Sequence, residues 1–141
     1  MGKNAGREKR QVERAIILAF IAALVMKIFI FDFMIAEGQS MVPAIKPGKM
    51  LLVCKVYYGI RLPVSGVYFI RWKKPRKGDV LVFYTPLGEI AVKRSVFPAG
   101  GETYPSDMFF ALGDNGAHSY DSRNYGPVPN DNIIGKVLGV K

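Results

Sequence analysis

The pattern of apolar and polar residues divides the chain into one long apolar segment and a series of short ones. Residues 15–36 are apolar except for Lys27 and Asp32. A helix needs about 20 apolar residues to cross the ~30 Å hydrocarbon core of a bilayer. The pattern therefore predicts a transmembrane anchor over 15–36.

Two other interpretations of this segment are less favoured than the anchor. A cleaved signal peptide is disfavoured because the apolar run is long and Met34 occupies the third position upstream of a cut after Ala36. A core helix that is apolar on all faces is disfavoured in so small a protein. We favour the uncleaved anchor, in which Lys27 must reach the interface or find a partner.

From residue 37 onward, apolar residues come in short runs separated by turn residues. These runs have the length of strands and are rich in β-branched and aromatic residues. They are Met50–Val56, Val80–Tyr84, Ile90–Val96, Met108–Leu112 and Ile133–Val140. The sequence therefore predicts a mainly β protein, with a single N-terminal transmembrane helix followed by a small all-β domain over 37–141.

The charge distribution predicts an orientation. The net charge is +9, and five basic residues fall within 1–14: Lys3, Arg7, Lys9, Arg10 and Arg14. Basic residues on the N-terminal flank of an anchor stay in the cytoplasm. We expect a single-pass protein of the cytoplasmic (inner) membrane, with 1–14 cytoplasmic and the β domain extracytoplasmic.

The basic charge alone suits nucleic acid or an anionic membrane surface. The most basic stretch of the β domain, 71–77, would lie outside the membrane, where we expect a solvated turn or contact with anionic lipid headgroups. We therefore expect membrane lipids and no nucleic acid as partners. The chain has a single cysteine, Cys54, and a single histidine, His118. These are too few ligands for a Cys/His metal site, and no cofactor is expected.

Three segments carry side chains suited to catalysis, and each also has an ordinary structural explanation. Ser40 follows the apolar run closely, where a serine is usually a turn residue. Lys93 shares one face of a predicted strand with Ala91 and Ser95, and a strand lysine usually faces solvent. The loop over 113–129 is rich in turn formers and holds an acidic and a basic residue whose pairing at a surface adds little stability.

Taken together and in this order, the segments resemble the motifs of bacterial type I signal peptidases, in a short form. The sequence reads S-M-V-P at 40–43, G-D-V-L-V-F at 78–83 and K-R at 93–94. Its last block, G-D-N-x3-S-x-D-S-R-x2-G-x-V over 113–128, is the most specific. The resemblance extends from the apolar segment to the end of the chain.

The resemblance implies a membrane-bound serine endopeptidase with a signal-peptidase-type β domain. Its partners would be the signal peptides of secretory preproteins, cleaved after small residues. Ser40 would be the nucleophile, Lys93 the general base, and the backbone N–H of Ser40 part of the oxyanion hole. Ser119 would orient the lysine, and Asp121 and Arg123 would form an ion pair in the loop.

Two departures from longer family members stand out. Some members carry a serine two residues before the nucleophile, and its hydroxyl adds a donor to the oxyanion hole that is worth about 2–4 kcal/mol. Gly38 occupies that position here. Only nineteen residues separate Lys93 from Gly113, so the inserted β domain of the longer enzymes is missing.

The proposed base must lose its charge to work. A free lysine has a pKa of about 10.4, and desolvation lowers it. Lowering it by roughly 3 units requires about 4 kcal/mol. His118, with its neighbours Ser119 and Asp121, invites a Ser–His–Asp interpretation, but triads are assembled from separate elements. We interpret His118 as a surface loop residue.

Two alternative functions stay open. A dedicated processing peptidase of the same superfamily would use identical residues on a single substrate. A non-catalytic, membrane-anchored β domain would bind partners or lipids, and would be expected to have lost Ser40, Lys93 or Ser119. The sequence predicts neither the preferred substrates nor the oligomeric state.

Overall fold

The computed structural model describes residues 2–62, 66–96 and 105–140, with side chains from residue 7 onward. In these ranges the chain forms one long α-helix, one short α-helix, two single 3-10 turns and nine strands. The helices are α1 (Gly2–Phe29) and α2 (Ser122–Tyr125). The strands are β1 (Phe31–Ile35), β2 (Met50–Cys54), β3 (Gly59–Arg61), β4 (Tyr68–Arg71), β5 (Val80–Tyr84), β6 (Ile90–Val96), β7 (Met108–Leu112), β8 (Val128–Pro129) and β9 (Ile133–Leu138).

The prediction of a mainly β domain is confirmed. Three of the five predicted strands have the predicted bounds, namely β5, β6 and β7. The other two start where expected and end two residues early, β2 at Cys54 and β9 at Leu138. Apolar, β-branched runs bounded by turn residues are therefore reliable guides to the strands of this chain.

The prediction of one helix over 15–36 is wrong. Helix α1 ends at Phe29, and Phe31–Ile35 form β1, which pairs antiparallel with β2. Lys55 holds the junction, because its Nζ lies 2.8 Å from Asp32 Oδ2 and donates to the Ile28 carbonyl at 3.3 Å. The apolar part of α1, residues 15–29, is about 22 Å long. Across the described ranges, no helix is long and apolar enough to cross a membrane.

Seven strands form one antiparallel sheet in the order β1-β2-β9-β5-β6-β7-β8, and β3 and β4 form a separate hairpin. Strand β5 lies at the centre. Its side chains alternate between the two faces, yet all four residues 80–83 are buried. Both faces of the sheet are therefore covered.

Two apolar clusters cover these faces. One contains Ala36, Met41, Ile45, Leu51, Val53, Val80, Val82 and Val137. The other contains Tyr58, Leu81, Phe83, Phe109, Ala111, Val128 and Ile133. Within the second, the rings of Phe83 and Phe109 meet edge to face with centroids 5.2 Å apart. The buried members of both clusters come from residues 36–137, so within the described ranges α1 contributes none.

Candidate active site

A cleft of about 430 Å³ brings together the first two segments that the sequence singled out. Ser40 and Lys93 both line it. One wall is the chain from Met34 to Met41, and the other is β6 with the turn before it. In the sheet, β2, β9 and β5 separate β1 from β6. The sheet must therefore curl for its edge and its fifth strand to face each other.

The segment that carries Ser40 is fixed by its buried neighbours. Met41 and Ile45 lie in the first apolar cluster, and the Ile45 N–H donates to the Met41 carbonyl at 2.8 Å. The Ala36 N–H donates to the Lys49 carbonyl at 2.9 Å, which closes the base of the loop. Apolar anchors thus hold the turn while Ser40 itself remains at the cleft.

Gly38 has a φ of +75°, in the left-handed region that costs a residue with a side chain roughly 1–2 kcal/mol. A Cβ at this position would meet no atom within 4 Å, so the cost is in the backbone and not in crowding. The backbone conformation therefore favours glycine where some family members carry a serine.

Lys93 is buried, with only 6 % of its surface exposed. It lies opposite Leu81 of β5, and Ser95, two residues on, is fully buried on the same face. Within the described part of the chain, no hydrogen bond or ion pair holds its ammonium group. Burial lowers the pKa of Lys93; the Asp121 carboxylate acts against this, and the Arg123 guanidinium adds to it.

The loop after β7 is organised around Asp121, whose side chain is fully buried. Its carboxylate accepts from Ser119 Oγ at 2.6 Å and from the Gly113 N–H at 2.9 Å. Arg123 completes the cluster with an ion pair, Nη2 to Oδ2, of 2.8 Å. Burial alone would raise the pKa of Asp121, but these donors hold it well below its usual range. The carboxylate is therefore ionised at neutral pH.

Gly113 joins this loop to the nucleophile segment. A Cβ at Gly113 would lie 2.5 Å from Ser119 Cβ and 2.6 Å from the Ser40 carbonyl oxygen. The same carbonyl accepts from the Asn115 N–H at 2.9 Å. Only glycine permits so close an approach. The first and third segments are thus packed directly on each other.

A two-pronged ion pair joins the loop to β6. Arg94 donates from Nε to Asp114 Oδ1 at 2.8 Å and from Nη2 to Oδ2 at 2.7 Å. Such planar pairs fix orientation as well as distance. Because Arg94 follows Lys93 directly, this contact ties the strand of the lysine to the loop of Ser119.

The structure separates the named residues into two groups. Ser40 and Lys93 line the cleft. Ser119, Asp121 and Arg123 support it from the loop, and the Ser119 hydroxyl donates to Asp121.

The cleft is also lined by His118, which the sequence placed on a surface loop, and by Tyr120, which the sequence did not single out. His118 is exposed, as expected, and its Nδ1 lies 3.4 Å from Asn115 Oδ1. Both residues flank Ser119 in the most specific motif, and that proximity was a usable signal.

The chain is similar to known proteins over most of its length. The model of the family described as signal peptidase, peptidase S26, matches residues 9–103 and 97–140. A signal peptidase I of Bacillus caldolyticus is 27% identical over 165 aligned positions, covering 93% of this chain and 90% of that protein. One of Leptolyngbya laminosa is 26% identical and covers 86% and 73%. One of Buchnera aphidicola is 41% identical over 68 positions, covering 48% of this chain and 21% of that protein.

Proposed function

The chain belongs to the signal peptidase family, peptidase S26, and is thus a serine peptidase that cleaves signal peptides; we propose that it does so with Ser40 as nucleophile and Lys93 as general base. The observation that carries this proposal is the environment of Lys93. A lysine that is buried, lacks a partner among the described residues and lines the same cleft as Ser40 is suited to act while neutral.

Acylation follows from a neutral Lys93. The amine takes the proton from Ser40 Oγ as the oxygen bonds to the carbonyl carbon of the scissile peptide. The carbonyl electrons move onto oxygen, and the backbone N–H of Ser40 donates to that oxyanion. When the intermediate collapses, the C–N bond breaks and the Lys93 ammonium gives its proton to the leaving amine.

Deacylation repeats these steps with water. Lys93 takes a proton from the water as the water oxygen attacks the carbonyl carbon of the ester. It returns that proton to Ser40 Oγ when the bond between this carbon and Oγ breaks. Ser119 is a positioning residue in this scheme. Its hydroxyl donates to Asp121 at 2.6 Å, which leaves its oxygen lone pairs free to accept from the lysine.

Asp121 and Arg123 balance the charge near the base. The carboxylate favours the charged lysine and the guanidinium disfavours it. The two side chains are paired with each other at 2.8 Å, and the pair fixes the loop. Because their charges nearly cancel, the pair has little net effect on the pKa of Lys93. Burial then determines its protonation state.

The substrate is proposed to bind as an extended strand along the cleft. Main-chain hydrogen bonds to a strand supply affinity, and pockets for alternate side chains supply specificity. Met34 and Val92 line the cleft and pack against the first apolar cluster. We propose that pockets beside these side chains accept small residues such as Ala one and three positions before the cut.

We further propose that the chain acts at the outer face of the cytoplasmic membrane. Helix α1 exposes a run of apolar side chains, including Ile17, Phe20 and Leu24, which is suited to contact with lipid. Holding enzyme and preprotein on one surface raises their effective concentration.

The test is cleavage of a preprotein by the full chain and by two variants, Ser40→Ala and Lys93→Met. Each is expected to lose at least about 10³-fold in kcat/KM, since a nucleophile and its base act as one unit. The matched controls are Ser106→Ala and Lys46→Ala, which alter an exposed serine and an exposed lysine. Both controls are expected to cleave normally.

Full activity in either cleft variant, with the fold intact, would end the Ser/Lys assignment. A serine-acylating inhibitor followed by mass spectrometry separates a peptidase from a non-catalytic binding domain, because only a peptidase is labelled at Ser40. Profiling against a panel of preproteins then distinguishes a general signal peptidase from one dedicated to a single substrate.

A further inference from the structure

A larger cavity, of about 740 Å³, lies between the C-terminal end of α1 and the β domain. Ligand pockets typically measure about 300–1,000 Å³. Among the described residues it shares none of its lining with the cleft of Ser40 and Lys93. We propose that this cavity binds the phosphate headgroup of an anionic phospholipid, whose acyl chain lies along α1.

The charged residues that line the cavity have an excess of positive charge. They are Lys27, Asp32, Lys55 and Arg61. Asp32 is already paired with Lys55, at 2.8 Å. The other two cations have no carboxylate partner within the part of the chain that the structure describes. A cavity with two uncompensated cations favours an anion.

Arg61 is held in position by neutral groups. Its Nε donates to the Gly66 carbonyl, and its guanidinium lies 5.3 Å from the centroid of the Tyr84 ring. These contacts orient the guanidinium without neutralising its charge. Since Arg61 retains further N–H donors, it is suited to two-pronged recognition of phosphate oxygens.

Lys27 contributes the second cation from α1. It lies in the last turn of the helix, after an apolar run that begins at Ala15. A lysine in such a setting turns its charge toward an interface or an anion. The cavity supplies that place, because Lys27 lines it together with Arg61.

The apolar part of the lining argues for a lipid and against a free phosphate. Leu24, Ile28 and Phe29 of α1 line the cavity and are 48, 40 and 42 % exposed. The exposed apolar surface continues up the helix through Ile21 and Phe20. A free phosphate would leave this surface uncovered, whereas an acyl chain would cover it.

The test measures binding of dihexanoyl phosphatidylglycerol to the full chain in nonionic detergent by titration calorimetry. The Lys27→Gln variant is expected to bind about tenfold more weakly, as for the loss of one charge-assisted contact. The Lys27→Arg variant is expected to bind normally. The matched control is Lys46→Gln, which removes an exposed cation outside the cavity and is expected to leave binding unchanged.

Three results would overturn the proposal. They are equal binding of dihexanoyl phosphatidylcholine, equal binding of inorganic phosphate, and equal weakening by Lys46→Gln and Lys27→Gln. The second would identify a phosphate site with no role for lipid, and the third would identify general surface attraction. Binding to Ser40→Ala is expected to be normal, so failure of the lipid site and failure of the proposed peptidase are told apart.

Discussion

At the scale of single residues, the charge pair behind Lys93 has the clearest consequence for activity. Arg123 lowers the pKa of Lys93, and Asp121 raises it. Removing the guanidinium leaves the carboxylate uncompensated. The lysine pKa then rises, and a smaller fraction of Lys93 is neutral at pH 7.

We therefore predict that Arg123→Gln moves the acidic limb of kcat/KM to higher pH. The neutral base predominates only above its pKa, so activity at pH 7 falls while activity at high pH recovers. The measurement is kcat/KM against pH for the variant and for Arg123→Lys, which retains the charge and is expected to keep the original profile. Activity that falls equally at all pH values would instead indicate a disordered loop.

The residues of the site were predicted from the sequence to different degrees. Ser40, Lys93 and Ser119 were singled out by motif order, but the burial of Lys93 was not predictable from the alternation of its strand. Alternation determines which residues share a face; the burial of that face depends on what packs against it. The crowding at Gly113 likewise requires two distant segments to meet.

At the scale of elements, the sequence predicted the strands that have turn residues at both ends. It did not predict a strand that continues an apolar run begun in a helix. Residues 15–36 read as one apolar run, so the sequence did not predict the boundary between α1 and β1. The helix gives way to a strand where the chain pairs with β2 and where Asp32 contacts Lys55. Both contacts involve residues about twenty positions away in the sequence. Strands β3, β4 and β8 have only two to four residues, too few for a periodic signal.

A buried polar cluster joins β5 and β9 to the segment before β3. Asp79 accepts from Tyr58 Oη at 2.8 Å and from Lys136 Nζ at 2.6 Å. Burial and the Asp79 contact raise the pKa of Tyr58, which keeps it a neutral donor. Burial opposes ionisation of Asp79, but its donors hold its pKa below 3.8.

We predict that Asp79→Ala lowers the free energy of unfolding by about 2–4 kcal/mol, because it leaves a buried hydroxyl and an ammonium without their partner. The pKa of the Asp79 carboxyl is lower in the folded state than in the unfolded state. Its contribution to the free energy of unfolding is therefore complete above pH 3.8 and is lost as the pH falls through the pKa of the folded state. Urea unfolding at neutral pH and below pH 3.8 measures both effects.

The control for this cluster is Asp131→Ala, which breaks the ion pair between Asp131 and Arg71. The side chain of Asp131 is 74% exposed. Exposed pairs contribute about 0–1 kcal/mol, so this variant is expected to unfold almost as the unaltered chain does. An Asp79→Ala variant no less stable than Asp131→Ala would show that the cluster adds no stability. A double-mutant cycle with Lys136→Met isolates the pair.

At the scale of the whole molecule, the curled sheet creates the site. Ser40 follows the edge strand β1, and Lys93 lies on β6, with three strands between them in the sheet. No local pattern in the sequence encodes that curl, and only the resemblance to a family connected the two residues. The buried members of both apolar clusters lie within 36–137, so we expect the stability of the β domain to be largely separate from that of α1.

This separation predicts the behaviour of a chain that begins at Ile30. It loses the contact between Lys55 and the Ile28 carbonyl but keeps every pairing of β1, so its free energy of unfolding is expected to fall by no more than about 1 kcal/mol. A chain that begins at Met34 loses the pairs of Phe31, Asp32 and Phe33 with β2 and is expected to be clearly less stable. Urea unfolding compares the two.

The same pair of chains separates catalysis from attachment. The chain beginning at Ile30 retains the whole cleft, and is expected to cleave a soluble peptide with alanine one and three positions before the cut at a rate close to that of the full chain. Cleavage of a preprotein held in vesicles is expected to fall, because α1 no longer confines the enzyme to the surface. Loss of soluble-peptide cleavage in a folded chain would instead show that α1 shapes the cleft, and equal cleavage of both substrates would show that α1 has no part in attachment.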